Sequence, residues 1–246
     1  MYEFADEVFV EESSVRFCGF RIQTRMAVIR LSGSQLFLYS PVPLRSGLRD
    51  ELEQLGRVAF IVSPNKIHNQ TLAEYRAEYP EAKLFAPPGL PERRPELSFD
   101  SVLSGQSVED WSAELEYVLT GGNTFFSEAF FFHRATRTLF VGDFVERIGP
   151  GVTSAFARAA MRLFGVRSHP MASPEFRFYT SNAEALRESV EQVLRWPLER
   201  IFLCHGELVP AGGREVFCQV AESLLREIEA RGPTARFLFE QIAKVQ

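Results

Sequence analysis

The chain has 246 residues, 46% of them hydrophobic, enough to bury a large core as one domain or two small ones. A formal net charge of -5 and a basic run no longer than Arg93-Arg94 exclude a general nucleic-acid binder, whose affinity comes mainly from cationic contacts to phosphate. No stretch has the length and apolarity of a membrane span, so neither nucleic acid nor membrane is an expected partner.

The first 45 residues read as strands, with a hairpin formed by Arg25 to Leu31, the turn Ser32-Gly33-Ser34, and Gln35 to Ser40. Leu48, Leu52 and Leu55 then recur at helical spacing, with Gly56 placed to end the helix, and Val58 to Ser63 returns as a buried strand. After the polar loop Pro64 to Gln70, the pattern predicts a helix over Thr71 to Tyr79 that Pro80 stops, and a strand Lys83 to Ala86. The Pro-, Ser- and acid-rich stretch from Pro87 to Asp110 reads as a long surface connection with at most a short strand.

The second half opens with three strands in close succession, Glu114 to Leu119, Ala129 to His133 and Thr138 to Val141. Helices follow over about 153–164, 182–195 and 213–230, with the strand Arg200 to Cys204 between the last two. Each half alone would leave an apolar sheet face exposed, which predicts one domain over residues 1–246 built from two mixed sheets with outer helices. Cys18, Cys204 and Cys218 are odd in number and lack Cys-x-x-Cys spacing, so neither a disulfide framework nor a zinc ribbon follows. The acidic start, Met1 to Glu7, lacks the basic end and apolar run of a signal peptide, and a reducing, cytoplasmic location is expected.

Three strand ends carry candidate ligands: His68, Asp143 and His205. Strand C-termini gather along one edge of a mixed sheet, so residues far apart in sequence can converge there. Two imidazoles and a carboxylate suit zinc or iron with coordination positions left open. Each residue also has a plain structural reading: a loop-locking hydrogen bond for His68, a turn or helix cap for Asp143, and a contact within a tight His-Gly turn for His205. Glu128 is acidic within the aromatic run Phe125 to Phe132. Facing inward it would be an added ligand or a general base with a raised pKa; facing outward it is a solvated strand residue. Cys204 and His205 are poorly placed to form a thiol-imidazole dyad, because adjacent strand residues point to opposite faces.

The stretches "LFVGDF" and "FLCHGE", after the hairpin and the strand-loop-helix, resemble the metallo-β-lactamase superfamily. More closely, "RMAVIRL", "LFLYSPVPL", "SPNKIH", "YPEAKLFAPPGL" and "SEAFFFHRATRTLFVGDF" resemble an uncharacterised bacterial branch of it, a domain-of-unknown-function family. The resemblance covers about 25–206 and implies an α/β fold, an αββα sandwich, shared by metal-dependent hydrolases and oxidoreductases. It also implies that the superfamily loop His-x-His-x-Asp-His corresponds to Pro64-Asn65-Lys66-Ile67-His68-Asn69, leaving His68 as the surviving ligand. Asn123 stands where a third histidine is usual, while Asp143 and His205 match the bridging aspartate and last histidine. A two-metal centre of that kind needs more histidines than the four in this chain, so one zinc or iron ion, and no organic cofactor, is the expectation. Lys66 would repel a cation if it pointed inward.

Two functions follow. In one, a single metal held by His68, Asp143 and His205 serves hydrolysis of a small-molecule ester, thioester or lactone, with Asp143 or Glu128 as the proton acceptor. In the other, a metal-free member of the fold binds a small molecule or a protein partner at the old active-site edge. An iron-dependent oxidoreductase is a third option that no sequence feature selects. The helix expected over 153–164, with Arg158, Arg162 and nearby Arg167, is either a lid suited to an anionic group or an ordinary outer helix.

Overall fold

The computed structural model describes residues 1–17, 20–147 and 169–231. The helix expected over 153–164, its arginines and Cys18 lie outside the described residues.

One sheet has seven strands in sequential order: β1 (Tyr2–Ala5), β2 (Val8–Phe17), β3 (Phe20–Leu31), β4 (Gln35–Tyr39), β5 (Arg57–Val62), β6 (Lys83–Ala86) and β7 (Ser101–Val102). Pairing is antiparallel as far as β4 and parallel from β4 to β7. The other sheet runs β11-β10-β9-β8, from β8 (Leu115–Leu119), β9 (Ala129–His133), β10 (Thr138–Val141) and β11 (Arg200–Leu203). Only its β10–β11 pair is parallel.

Both faces of the first sheet are covered, which is why β3 and β4 read as nearly continuous apolar runs. Met26, Val28, Leu36 and Leu38 pack under the helices α1 (Ser46–Leu55), α2 (Leu72–Glu78) and α3 (Leu90–Arg93), represented by Leu48, Leu52, Leu72, Tyr75 and Leu90. The alternate residues Ala27, Ile29, Phe37 and Tyr39 face the second sheet, as the two-residue period of a strand requires. There they meet Phe131, Phe140 and Phe202, and Trp111 closes against Phe85 with ring centroids 4.4 Å apart. Much of the phenylalanine richness is thus core, each buried ring stabilising by roughly 1.5–3 kcal/mol. On the far side of the second sheet, Phe130, Phe132 and Leu139 pack with helices α4 (Pro174–Tyr179), α5 (Ala183–Val193) and α6 (Gly213–Glu229). The result is the expected αββα layering.

Several element ends differ from expectation by a residue or two. The stretch from Pro87 to Asp110 holds the short helix α3 as well as the two-residue edge strand β7. Helix α4 was not expected. Its six residues are too short to show a period, although Ser173 caps it by accepting from the Phe176 N–H, with Pro174 in its first turn. Among the described residues, no helix is long and apolar enough to cross a membrane.

Candidate metal centre

The topology brings six chain segments to one edge of the sandwich. Because β4 and β5 are parallel, Ser40 and the loop from Pro64 to His68 leave the first sheet on the same side. Parallel β10 and β11 likewise place Asp143 and His205 together. Strand β3 is antiparallel to β4, and β9 to β10, so the early part of β3 and Glu128, just before β9, arrive at that edge too.

One ligand atom from each of His68, Asp143 and His205 lies within 4.8 Å of the others. His68 Nε2 is 3.3 Å from Asp143 Oδ1 and 3.3 Å from His205 Nε2. His205 Nε2 is 3.4 Å from Asp143 Oδ1. The outward nitrogens are already bonded. His205 Nδ1 lies 2.8 Å from the Gln23 carbonyl oxygen, which can only accept, so Nδ1 carries the proton and Nε2 is the free atom of the neutral ring. The Ser40 hydroxyl occupies His68 Nδ1 at 2.9 Å. Two imidazole nitrogens facing each other need a proton or a cation between them. Such a donor set, with its outer atoms held, fits a single zinc or iron ion at His68, Asp143 and His205.

The third donor is backed by a buried polar group. Asn65 Nδ2 donates to Asp143 Oδ2 at 2.7 Å and lies 3.2 Å from Glu128 Oε2. Glu128 faces inward, and its oxygens accept the backbone N–H groups of Gly142 at 2.8 Å, Asp143 at 2.7 Å and Phe144 at 3.3 Å. Burial, then the neighbouring Asp143 charge, push the Glu128 carboxyl up to about 8 against those bonds. For Asp143 burial works upward too, but the two histidines outweigh it and hold the carboxyl well below the usual range. His205 is opposed by burial yet raised to about 9 by Asp143. Glu146, which no sequence pattern singles out, is pushed up to about 8 by burial, with His205 drawing it down.

The remaining candidates are placed elsewhere. Lys66 does not aim its charge at the cluster: its ammonium sits 4.4 Å from the Phe125 ring centroid. Asn123 is not a substitute ligand, since Oδ1 accepts the N–H groups of Phe125 and Phe126 and Nδ2 donates to Thr180 Oγ1 and the Glu175 carbonyl. It ties the loop before β9 to α4. His133 bonds Thr136 at 2.9 Å at the other end of β9, and His169 is exposed. Cys204 packs in the core between the sheets, with its thiol against the Ser40 hydroxyl. Sequence reasoning missed Ser40, Gln23 and Arg25. Arg25 donates to the Gly206 carbonyl and reaches the Leu203 carbonyl at 3.5 Å, bracing the turn that carries His205.

A family model described as "Domain of unknown function (DUF4336)" matches residues 5–175. The chain belongs to this family. Solved structures similar to this DUF4336 chain are metallo-β-lactamases. VMB-1 aligns with a TM-score of 0.66 at 13% identity, covering 93% of this chain and 97% of that one. A metallo-β-lactamase from Erythrobacter litoralis, with beta mercaptoethanol in its active site, aligns at 0.65 and 13%, covering 92% and 95%. TMB-1 aligns at 0.63 and 16%, covering 91% and 95%. At these identities the likeness establishes the fold of the DUF4336 chain, a metallo-β-lactamase fold, and not its activity. A search of curated proteins gave no match.

Proposed function

We propose that this protein is a mononuclear metal-dependent hydrolase of a small-molecule ester, thioester or lactone. The observation that carries the reading is the convergence of His68 Nε2, His205 Nε2 and an Asp143 oxygen at the strand ends, with both histidine Nδ1 atoms already bonded. His68, His205 and Asp143 would hold one zinc or iron ion, which when bound would supply Lewis acidity toward a carbonyl oxygen and a more acidic water. Gln23 and Ser40 keep the two rings oriented with Nε2 toward the cluster. Asp143, the carboxylate of the cluster, would take up the proton during attack on the carbonyl. The core between the sheets, closed by Phe140, Phe202 and Tyr39, backs the cluster and keeps water from that side.

A metal-free binding role is favoured by one observation. A protonated His205 beside Asp143 closes the cluster without any ion. Metal content by plasma mass spectrometry, on untagged protein purified without chelator, separates the two readings. Near-stoichiometric zinc or iron in the parent, lost in a His68→Ala, His205→Ala double variant, is the expected result and justifies an ester and lactone screen. No metal in either protein, even after zinc is added back, would sink the hydrolase reading in favour of ligand or partner binding.

A further inference from the structure

Asp143 has two carboxylate oxygens, and their surroundings differ. Oδ2 accepts the Asn65 amide at 2.7 Å. The direction of that amide is set locally: Asn65 Oδ1 accepts the Ile67 N–H at 3.0 Å, so Nδ2 is turned toward the carboxylates. Asn65 is fully buried, and its Nδ2 is placed between Asp143 Oδ2 and Glu128 Oε2.

Glu128 holds the backbone of the same loop. It is fully buried, and three consecutive N–H groups, from Gly142, Asp143 and Phe144, converge on its two oxygens. The chain after β10 is therefore folded around a carboxylate, in the way backbone nests fold around anions. Gly142 permits the close approach, since a Cβ there would lie 3.1 Å from Glu128 Oε2 and 3.0 Å from Pro64 Cβ. Glu128 is fixed in turn by its own N–H, which donates to Thr120 Oγ1 at 2.8 Å. With its oxygens so engaged, Glu128 is poorly placed to exchange a proton with a substrate.

We infer that Asn65 and Glu128 form a positioning unit for Asp143, Glu128 shaping its backbone and Asn65 holding Oδ2, so that the carboxylate is fixed in its orientation toward His205 and toward His68, whose Nε2 lies 3.3 Å from both oxygens. This rests on the mononuclear reading and deepens it. Glu128 Oε2 and Asp143 Oδ2 are both given to the Asn65 amide rather than to a second cation. The role expected for Glu128 from sequence, a ligand or base, becomes one exercised through Asp143.

The test compares the parent with Asn65→Ala and Glu128→Gln, using zinc alone in competition with a chelator, the absorption spectrum of the cobalt(II)-loaded protein, and histidine 15N NMR of the metal-free protein. The parent should bind one ion. Asn65→Ala should lose about 10- to 100-fold in zinc affinity and shift the cobalt spectrum, because Asp143 is free to turn. In the metal-free variant the 15N signals of His68 and His205, which report their hydrogen bonds to Asp143, should move. Glu128→Gln should reproduce these changes and guards against a folding failure of the first variant. A parent that binds zinc beside variants with the same affinity and spectrum would overturn the inference while leaving the mononuclear reading intact. A parent that binds no zinc overturns that reading. Unmoved histidine signals in either folded variant then dispose of the positioning unit as well.

Discussion

Ser40 adopts a left-handed backbone, φ 58°, without being glycine, and its hydroxyl is the partner of His68 Nδ1. Such strain costs about 1–3 kcal/mol and is retained where the surroundings demand it. Ser40→Gly should therefore leave the unfolding free energy within about 1 kcal/mol of the parent, as strain relief offsets the greater freedom of the unfolded chain. Zinc affinity should fall roughly tenfold, measured by chelator competition, because His68 loses its orienting bond. The charged groups around the cluster also fix how the metal-free protein responds to pH. His205, raised from 6.5 to about 9, contributes stability fully present below pH 6.5 and lost as pH rises through 9. Glu128 and Glu146, raised from 4.5 to about 8, act in the same direction, since ionising them opposes folding. Glu175, also raised by burial, joins them, whereas Asp143, held low, contributes stability that is lost only in strong acid. The melting temperature of the metal-free protein should fall between pH 6.5 and 9, and added zinc should restore most at the alkaline end, where Nε2 is unprotonated. A flat metal-free profile would contradict the assigned charges.

At the level of elements, the β2–β3 hairpin holds the end of β11. Arg25, on β3, is braced by Glu12 at 2.8 Å and donates to the Gly206 carbonyl, while two residues earlier the Gln23 carbonyl receives His205 Nδ1. Gly206 itself has φ 93°, and a Cβ there would run into the Arg147 carbonyl. Arg25→Met keeps the side chain's length but removes its donors, leaving buried carbonyl oxygens unpaired. Urea unfolding should show a loss of about 1–3 kcal/mol, with weaker zinc binding as His205 loosens. Glu12→Gln, at a partly exposed pair, should cost under about 1 kcal/mol. This hairpin also shows where sequence reading stopped. Its region was legible only as strand, the hairpin read from sequence being Arg25 to Leu31 with Gln35 to Ser40, and His205 was legible because ligands gather at strand ends. The link between them was not: Gln23 acts through a backbone carbonyl, which leaves no side-chain signal, across 182 residues of chain. Asn65 and Ser40 were likewise readable only as turn residues, since their partners depend on how separate strands align.

Across the whole molecule, stability resides in the layer between the sheets. Phe131 meets Phe37 with ring centroids 5.1 Å apart and stacks on Tyr117 at 5.4 Å, so Phe131→Ala should cost about 3–5 kcal/mol in denaturant unfolding. An effect below about 1 kcal/mol would mean that the two sheets do not share one core. The layering was legible because buried strands and amphipathic helices write different periods into the chain, and α3 and α4 escaped because they are too short to write any. His68 leaves the first sheet, whereas Asp143 and His205 leave the second. An ion held by all three would therefore be a clasp across the seam of the sandwich, joining layers that otherwise meet there through hydrogen bonds such as that from the Ala129 N–H to the Pro64 carbonyl at 2.7 Å. Chelation should let that margin splay, quickening amide exchange at the ends of β5 and β11 while amides beneath Trp111 stay slow.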